Sequence, residues 1–131
     1  MAGTEKPKLL VVDDQMGVRR LLYEAFQEDD FEVRMAGSGL EAIDIIGEFA
    51  PDLILLDMKM PGMNGLETLA EIKKLNPKAS VIMMTAYGEL EIVSEALRLG
   101  AKEYVTKPFD INVLRDLAKK VISCEGAGVA G

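Results

Sequence analysis

The chain has 131 residues, enough for one globular domain, and 49% of them are hydrophobic, which is typical of a protein with a compact core. Its net charge of −7 argues against direct binding to nucleic acid, because the phosphate backbone is bound by clustered Lys and Arg. Histidine is absent, Cys124 is the only cysteine and no apolar run could span a bilayer. These facts exclude histidine chemistry within the chain, an internal disulfide, a cysteine-bound metal and membrane insertion, and we expect a soluble cytoplasmic protein.

Short apolar runs alternate with segments of helical periodicity along the whole chain. The runs at 9–12, 32–35, 53–56, 81–84 and 103–105 predict five buried strands. The first helix follows the first strand, and its predicted buried stripe consists of Val18, Leu21, Leu22, Ala25 and Phe26. Further helices are predicted at 42–49, 65–75, 89–99 and 114–122, and Gly100 is a stop signal for the fourth helix.

Strands that are apolar on both faces and are joined by helices predict a parallel sheet covered on both sides. The fold class is therefore α/β, a three-layer sandwich of five strands and five helices, and 2-1-3-4-5 is the common strand order for a small sheet of this kind. We expect an N-terminal extension at 1–7, one domain at 8–123 and a flexible tail at 124–131. The tail is either a free end or the start of a linker.

Function in such sheets gathers beyond the carboxyl ends of the strands. Asp13 and Asp14 follow the first strand, Asp57 ends the third, Thr85 follows the fourth and Lys107 follows the fifth. Three carboxylates held close together repel one another unless a cation joins them, and Mg²⁺ is the hard divalent ion that suits oxygen ligands, with Mn²⁺ as an alternative. A carboxylate beside such an ion can form an acyl phosphate, with a lysine neutralising charge and a hydroxyl contacting a phosphoryl oxygen.

Each of these residues, taken alone, also has an ordinary structural explanation. An Asp pair after a strand is typical of a helix cap and a solvated turn, and a single strand-end Asp, Thr or Lys is typical of turns and surfaces. Their joint placement at four strand ends, in an order that makes them neighbours, favours a phosphoryl-transfer site over these separate explanations.

Four segments carry a family resemblance: LLVVDDQ (9–15), LILLDMKMPGMNG (53–65), VIMMTAYGE (81–89) and YVTKPFD (104–110). Together they resemble the receiver domain of bacterial two-component response regulators, over nearly the whole chain. The resemblance implies a flavodoxin-like fold, with Asp57 as the phosphoacceptor. It also implies that Asp13, Asp14 and Asp57 bind Mg²⁺ together with the backbone carbonyl of Lys59.

The resemblance implies further roles near the phosphoacceptor. Lys107 contacts the phosphoryl group, and Thr85 and Tyr104 form a switch pair. The Lys107–Pro108 bond is expected to be cis. Gly65 is expected to allow a tight turn after the phosphoacceptor.

Members of this family work with a sensor histidine kinase and a histidine phosphotransferase, so the resemblance implies these two partners. It also implies a signalling protein rather than an enzyme. Such a protein assists its own phosphorylation and dephosphorylation. The predicted partner-contact residues are Gln15, Met16, Gly17, Val18, Arg19, Pro108 and Phe109. An exposed Met next to the acid pair offers an adaptable contact, although a merely tolerated surface Met is the alternative.

Within the family, the segments at 13–26, 55–65, 85–92 and 107–111 are most similar to single-domain regulators of sporulation phosphorelays. Those regulators carry histidine at the position of Tyr104, where tyrosine is ordinary for receivers at large. One alternative is a receiver cut from a longer regulator with a DNA-binding or ATPase output domain. A haloacid-dehalogenase-like phosphatase is disfavoured because Lys59 stands where its second acid belongs, and a flavin-binding module is disfavoured because the acid pair would repel a phosphate.

Overall fold

The computed structural model describes residues 6–86 and 90–130, the last seven of them by their backbone alone. The predictions that fall on 1–5, 87–89 and 131, including the start of the fourth helix at 89, therefore lie outside the described residues. Strands and helices alternate as predicted, in the order β1 (Lys8–Val12), α1 (Met16–Glu28), β2 (Glu32–Ala36), α2 (Gly39–Phe49), β3 (Leu53–Asp57), α3 (Gly65–Leu75), β4 (Ser80–Ala86), α4 (Leu90–Arg98), β5 (Glu103–Lys107) and α5 (Ile111–Ala130).

The five strands form one parallel sheet in the order β2-β1-β3-β4-β5, which confirms the predicted fold class and strand order. Alternate residues of each strand enter two separate hydrophobic clusters. In β1, Leu9 and Val11 pack with α1 and α5, whereas Leu10 and Val12 pack with α2, α3 and α4. Both faces of the central strands are thus buried, which explains why they are continuous apolar runs in the sequence.

The strands extend past the apolar runs that predict them. Thr85 lies within β4 and is paired with Thr106, and Lys107 is the last residue of β5, paired with Ala86. Polar side chains do not end a β-strand, because the hydrogen bonds between neighbouring strands join main-chain atoms only. The candidate site residues are therefore anchored by the sheet itself.

The predicted stripe of the first helix is wrong at Leu21, which is 49% exposed, while Leu22 and Phe26 are fully buried. These two buried residues are four positions apart and define the inward direction of α1. Leu21 lies about 100° around the helix from Leu22 and faces away from the sheet.

The last helix differs from its predicted length. Where the sequence predicts a flexible tail from 124, α5 continues as helix to Ala130. The division into extension, domain and tail stays a prediction.

Gly100 follows α4 with a φ of +111°, a conformation that favours glycine, and this confirms the predicted stop. No helix in the described part of the chain is long and apolar enough to cross a membrane.

Candidate functional site

The neighbouring strands β1 and β3 bring the predicted acids together at the carboxyl edge of the sheet. Asp13 follows β1 directly and is fully buried, Asp57 ends β3 and is 4% exposed, and Asp14 is exposed. One carboxylate oxygen from each of the three lies within 4.8 Å of the other two. The sequence therefore predicted this juxtaposition correctly.

The carboxylate of Asp13 is held on both of its oxygens. Its Oδ1 accepts a hydrogen bond from the main-chain N–H of Gln15 at 2.8 Å, and its Oδ2 accepts one from Lys107 Nζ at 2.8 Å. Its main chain is held as well, since its N–H donates to Ala36 O at 3.1 Å and its carbonyl accepts from Arg19 Nη1 at 2.7 Å. The Arg19 contact has no signature in the sequence, because it depends on the path of the loop.

Lys107 reaches from β5 across β4 to both buried acids. Its Nζ lies 2.8 Å from Asp13 Oδ2 and 3.6 Å from Asp57 Oδ2. The ammonium thus partly neutralises two carboxylates that would otherwise repel each other in a poorly solvated site. Its placement agrees with the predicted role beside a phosphoryl group on Asp57.

Asp57 has an electrostatic environment unlike that of an ordinary surface acid. Burial, followed by the charge of Asp13, raises the pKa of Asp57 from 3.8 to about 6. A hydrogen bond from Lys59 N–H to Oδ1 at 3.2 Å and the charge of Lys107 act in the opposite direction. Added positive charge at this site would therefore favour the ionised form of Asp57.

The donor set fits a hard divalent cation. Three carboxylates and one ammonium leave two negative charges at the site, and a divalent ion offsets them. Oxygen ligands around Mg²⁺ lie about 3 to 4 Å apart, close to the 4.8 Å limit within which these three oxygens already lie. Among the described residues, Asp13, Asp14 and Asp57 are the cluster of metal-ligating side chains that meets this spacing.

The predicted switch residues differ in exposure. The hydroxyl of Thr85, which is nearly buried, donates to the carbonyl of Ala86 at 3.3 Å. Tyr104 is 41% exposed and pairs in register with Met83, two residues before Thr85 on β4. Tyr104 therefore lies on the strand next to Thr85 with its ring partly in solvent.

A shallow pocket of about 240 Å³ opens at Asp57. Its lining residues are Asp14, Gln15, Asp57, Lys59, Ala86 and Lys107. Four of these six were predicted as site residues and Gln15 as a partner contact. Ala86 was missed, because a small side chain at a strand end carries no chemical signal.

Gly65 ends the loop after Asp57, and its N–H donates back to Met58 O at 3.1 Å. The positive φ in the loop after Asp57 belongs to Gly62, at +75°, whereas Gly65 is the first residue of α3. A Cβ on Gly65 would lie 2.3 Å from Met58 Cα and 2.8 Å from Asp57 O. Glycine is needed there because the backbone of Asp57 and Met58 lies directly against it.

Among the predicted partner-contact residues, Gln15 lines this pocket, and the others lie near its lining residues in the sequence. Met16 is 71% exposed, and Gln15, Gly17 and Pro108 are also exposed. The other three, Val18, Arg19 and Phe109, are half-buried. The Lys107–Pro108 peptide bond is cis, as predicted.

The comparisons with known proteins agree with this geometry. A family model described as "Response regulator receiver domain" matches residues 9–119. The chain is 48% identical to sporulation initiation phosphotransferase F of Bacillus subtilis over 115 residues, which cover 88% of this chain and 93% of that protein. It is 39% identical to regulatory protein AtoC of Escherichia coli over 118 residues, which cover 90% of this chain and 26% of that longer protein.

A similar fold is found among solved structures. The CheY-like response regulator receiver domain protein of Methanospirillum hungatei superposes with a TM-score of 0.91 at 28% identity, over 95% of this chain and 99% of that one. The receiver domain of NtrX from Brucella abortus superposes with a TM-score of 0.83 at 33% identity, over 88% of this chain and 98% of that one.

Proposed function

The chain belongs to the response regulator receiver domain family, and from that premise we propose that it is a phosphorelay regulator. In this role Asp57 accepts a phosphoryl group from a phosphohistidine of a sensor histidine kinase. The group then passes to a histidine phosphotransferase. The observation that carries the proposal is the buried Asp57 at the floor of an open pocket, with two further acids and Lys107 around it.

The chemistry is a balanced exchange between two amino acids. A carboxylate oxygen of Asp57 attacks phosphorus in line, the P–N bond to the donor imidazole breaks, and the bonding electrons leave with that nitrogen. The product is an acyl phosphate on Asp57, and the second transfer reverses these bond changes onto another imidazole. The chain has no histidine, which agrees with both imidazoles coming from the partners.

The residues around Asp57 hold and neutralise the transferred group. Asp13, Asp14 and Asp57, with the main-chain carbonyl of Lys59, would hold Mg²⁺, and Mn²⁺ suits the same oxygen ligands. When bound, the ion neutralises charge on the carboxylates and on the phosphoryl oxygens. Lys107, already 3.6 Å from Asp57, supplies positive charge from the opposite side of the pocket.

Phosphorylation also provides a switch. The added charge at Asp57 draws the Thr85 hydroxyl away from the carbonyl of Ala86 and towards a phosphoryl oxygen. Tyr104 then moves from its half-exposed position into the space that Thr85 leaves. A local charge change thereby shifts the balance between two arrangements of one surface.

The partner surface consists of the exposed residues next to those that line the pocket, where Met16 follows Gln15 and Pro108 follows Lys107. We propose no direct contact of this protein with nucleic acid or membrane. The reaction is proposed to take place in the cytoplasm, as expected from the sequence. The protein assists its own phosphorylation and dephosphorylation, but it acts as a phosphoacceptor in signalling rather than as an enzyme.

The higher sequence identity to a phosphotransferase than to a longer regulatory protein favours a relay over a role tied to an output domain. The chain is 48% identical to a phosphotransferase of sporulation initiation and 39% identical to the matching part of AtoC, a regulatory protein. The exchange of histidine for tyrosine at Tyr104 leaves the acids, Thr85 and Lys107 unaffected.

Transfer of labelled phosphate tests the proposal. A ³²P-labelled histidine kinase domain is mixed with the wild type, with Asp57→Asn or with the control Asp44→Asn, which removes an exposed acid on α2. We expect Mg²⁺-dependent labelling of the wild type and of Asp44→Asn, and none of Asp57→Asn. An unlabelled histidine phosphotransferase should then remove the label, and retention of the label there would contradict the relay.

A further inference from the structure

We propose that Arg19 is a positioning residue for the metal-binding acids and that it acts through the main chain of Asp13. The proposal rests on the function proposed above, in which Asp13 and Asp14 hold the cation. Arg19 lies in the first turns of α1, is half-buried, and donates from Nη1 to the main-chain oxygen of Asp13 at 2.7 Å.

The bonded oxygen belongs to the peptide unit that joins the two acids. Because a peptide unit is planar, fixing the carbonyl of Asp13 also fixes the nitrogen and Cα of Asp14. Arg19 therefore sets the direction in which both side chains leave the loop. Its effect is greatest on Asp14, whose side chain is exposed, because Asp13 is also held through its carboxylate by Gln15 N–H and by Lys107.

The guanidinium of Arg19 lies close to the loop between β2 and α2. A Cβ added at Gly37 would lie 3.1 Å from Arg19 Nη1. The N–H of Gly37 donates to Glu41 Oε1 at 2.7 Å, and Glu41 lies in the first turn of α2, so this turn is itself held in shape. Arg19 thus bonds the acid-bearing loop, and its guanidinium has little free space on the side of Gly37.

Whether Mg²⁺ binds more weakly or more tightly after Arg19 is neutralised distinguishes a positioning role of Arg19 from a purely electrostatic one. Removing a positive charge near a cation site strengthens cation binding, because a repulsion is lost. Loss of a contact that orients the ligands weakens binding, and losses at such supporting positions are typically about tenfold or more. Only the positioning role therefore predicts weaker binding when Arg19 is neutralised.

The test compares Arg19→Met with the matched control Arg20→Met in the isolated protein, so that no partner contact contributes. Arg20 is exposed and pairs with Glu24 on the surface of α1 at 3.5 Å. Titration calorimetry with Mg²⁺ gives the dissociation constant, and thermal unfolding verifies that each variant is folded. We expect about tenfold weaker binding for Arg19→Met, and unchanged or slightly tighter binding for Arg20→Met. Arg19→Lys, which keeps a charged donor, should recover part of the loss.

Backbone amide resonances in the metal-free protein provide a second readout. Arg19→Met should displace the resonances of Asp13 and Asp14, whereas Arg20→Met should leave them unchanged. Gly37→Ala should also displace them, because its Cβ crowds the guanidinium of Arg19 without removing the positive charge. Equal or tighter Mg²⁺ binding by Arg19→Met than by Arg20→Met would overturn the proposal. If the wild type binds no Mg²⁺, the proposed function fails, and the amide resonances alone decide for or against the role of Arg19.

Discussion

Replacing Asp57 by Asn should stabilise the metal-free protein at neutral pH. Burial and the charge of Asp13 raise the pKa of Asp57 from 3.8 to about 6. Between these two pH values the native protein keeps a proton that the unfolded chain has released, so stability falls as the pH rises through this window. A pKa difference of about 2 corresponds to about 3 kcal/mol, and this loss is complete above about pH 6. The amide side chain of the Asp57→Asn variant does not titrate, so the variant does not lose this stability as the pH rises.

Urea unfolding of wild type and Asp57→Asn, in buffers with a chelator at several values from about pH 4 to about pH 8, measures this difference. We expect a gap in favour of Asp57→Asn that is small below about pH 4 and grows to about 3 kcal/mol above about pH 6. Saturating Mg²⁺ should narrow the gap by stabilising the wild type through binding. The control Asp44→Asn should show no such trend. A gap that does not change with pH, or a less stable Asp57→Asn at neutral pH, would refute the reasoning.

Three further predictions concern folding stability, each measured by urea unfolding. Gly65→Ala should lower the free energy of unfolding by about 3 kcal/mol, because the added Cβ would lie 2.3 Å from Met58 Cα. The control Gly47→Ala, which has no neighbouring atom within 4 Å, should stabilise α2 by about 0.5 kcal/mol. Equal stability of the two variants would contradict this prediction. Arg115→Met should lower the free energy of unfolding at neutral pH, because two hydrogen bonds at 2.8 and 2.7 Å join Arg115 to Asp29. Since Arg115 lowers the pKa of Asp29, this loss should shrink as acid protonates Asp29, and a pH-independent loss would argue against it. Ser80→Ala should leave stability unchanged or raise it by up to about 1 kcal/mol, because its buried hydroxyl has no hydrogen-bond partner among the described residues; a clear loss would reveal such a partner.

The sheet and the acidic cluster could be predicted from the sequence because both follow from short, regular patterns. Five apolar runs separated by helical periodicity leave few arrangements for a parallel sheet. Once the order is known, residues at the ends of neighbouring strands must be close. Asp13, Asp57 and Lys107 were therefore identified without side-chain geometry, and their distances agree with that expectation.

The features that escaped prediction depend on how loops and helices pack. Periodicity alone could not decide whether Leu21 or its neighbours define the centre of the buried stripe. The need for glycine at Gly65 comes from a backbone crossing, which sequence distance does not reveal. The contact between Arg19 and the main chain of Asp13 likewise exists only because the loop turns back over α1.

The position of the phosphoryl group tests the central claim most directly. The protein is phosphorylated by a histidine kinase in the presence of Mg²⁺, the acyl phosphate is reduced with borohydride, and the modified peptide is sequenced by mass spectrometry. Reduction converts a phosphorylated aspartate into homoserine, so the account predicts homoserine at position 57 and intact aspartate at Asp13 and Asp14. Homoserine at another acid, with Asp57 intact, would contradict the assignment of the phosphoacceptor.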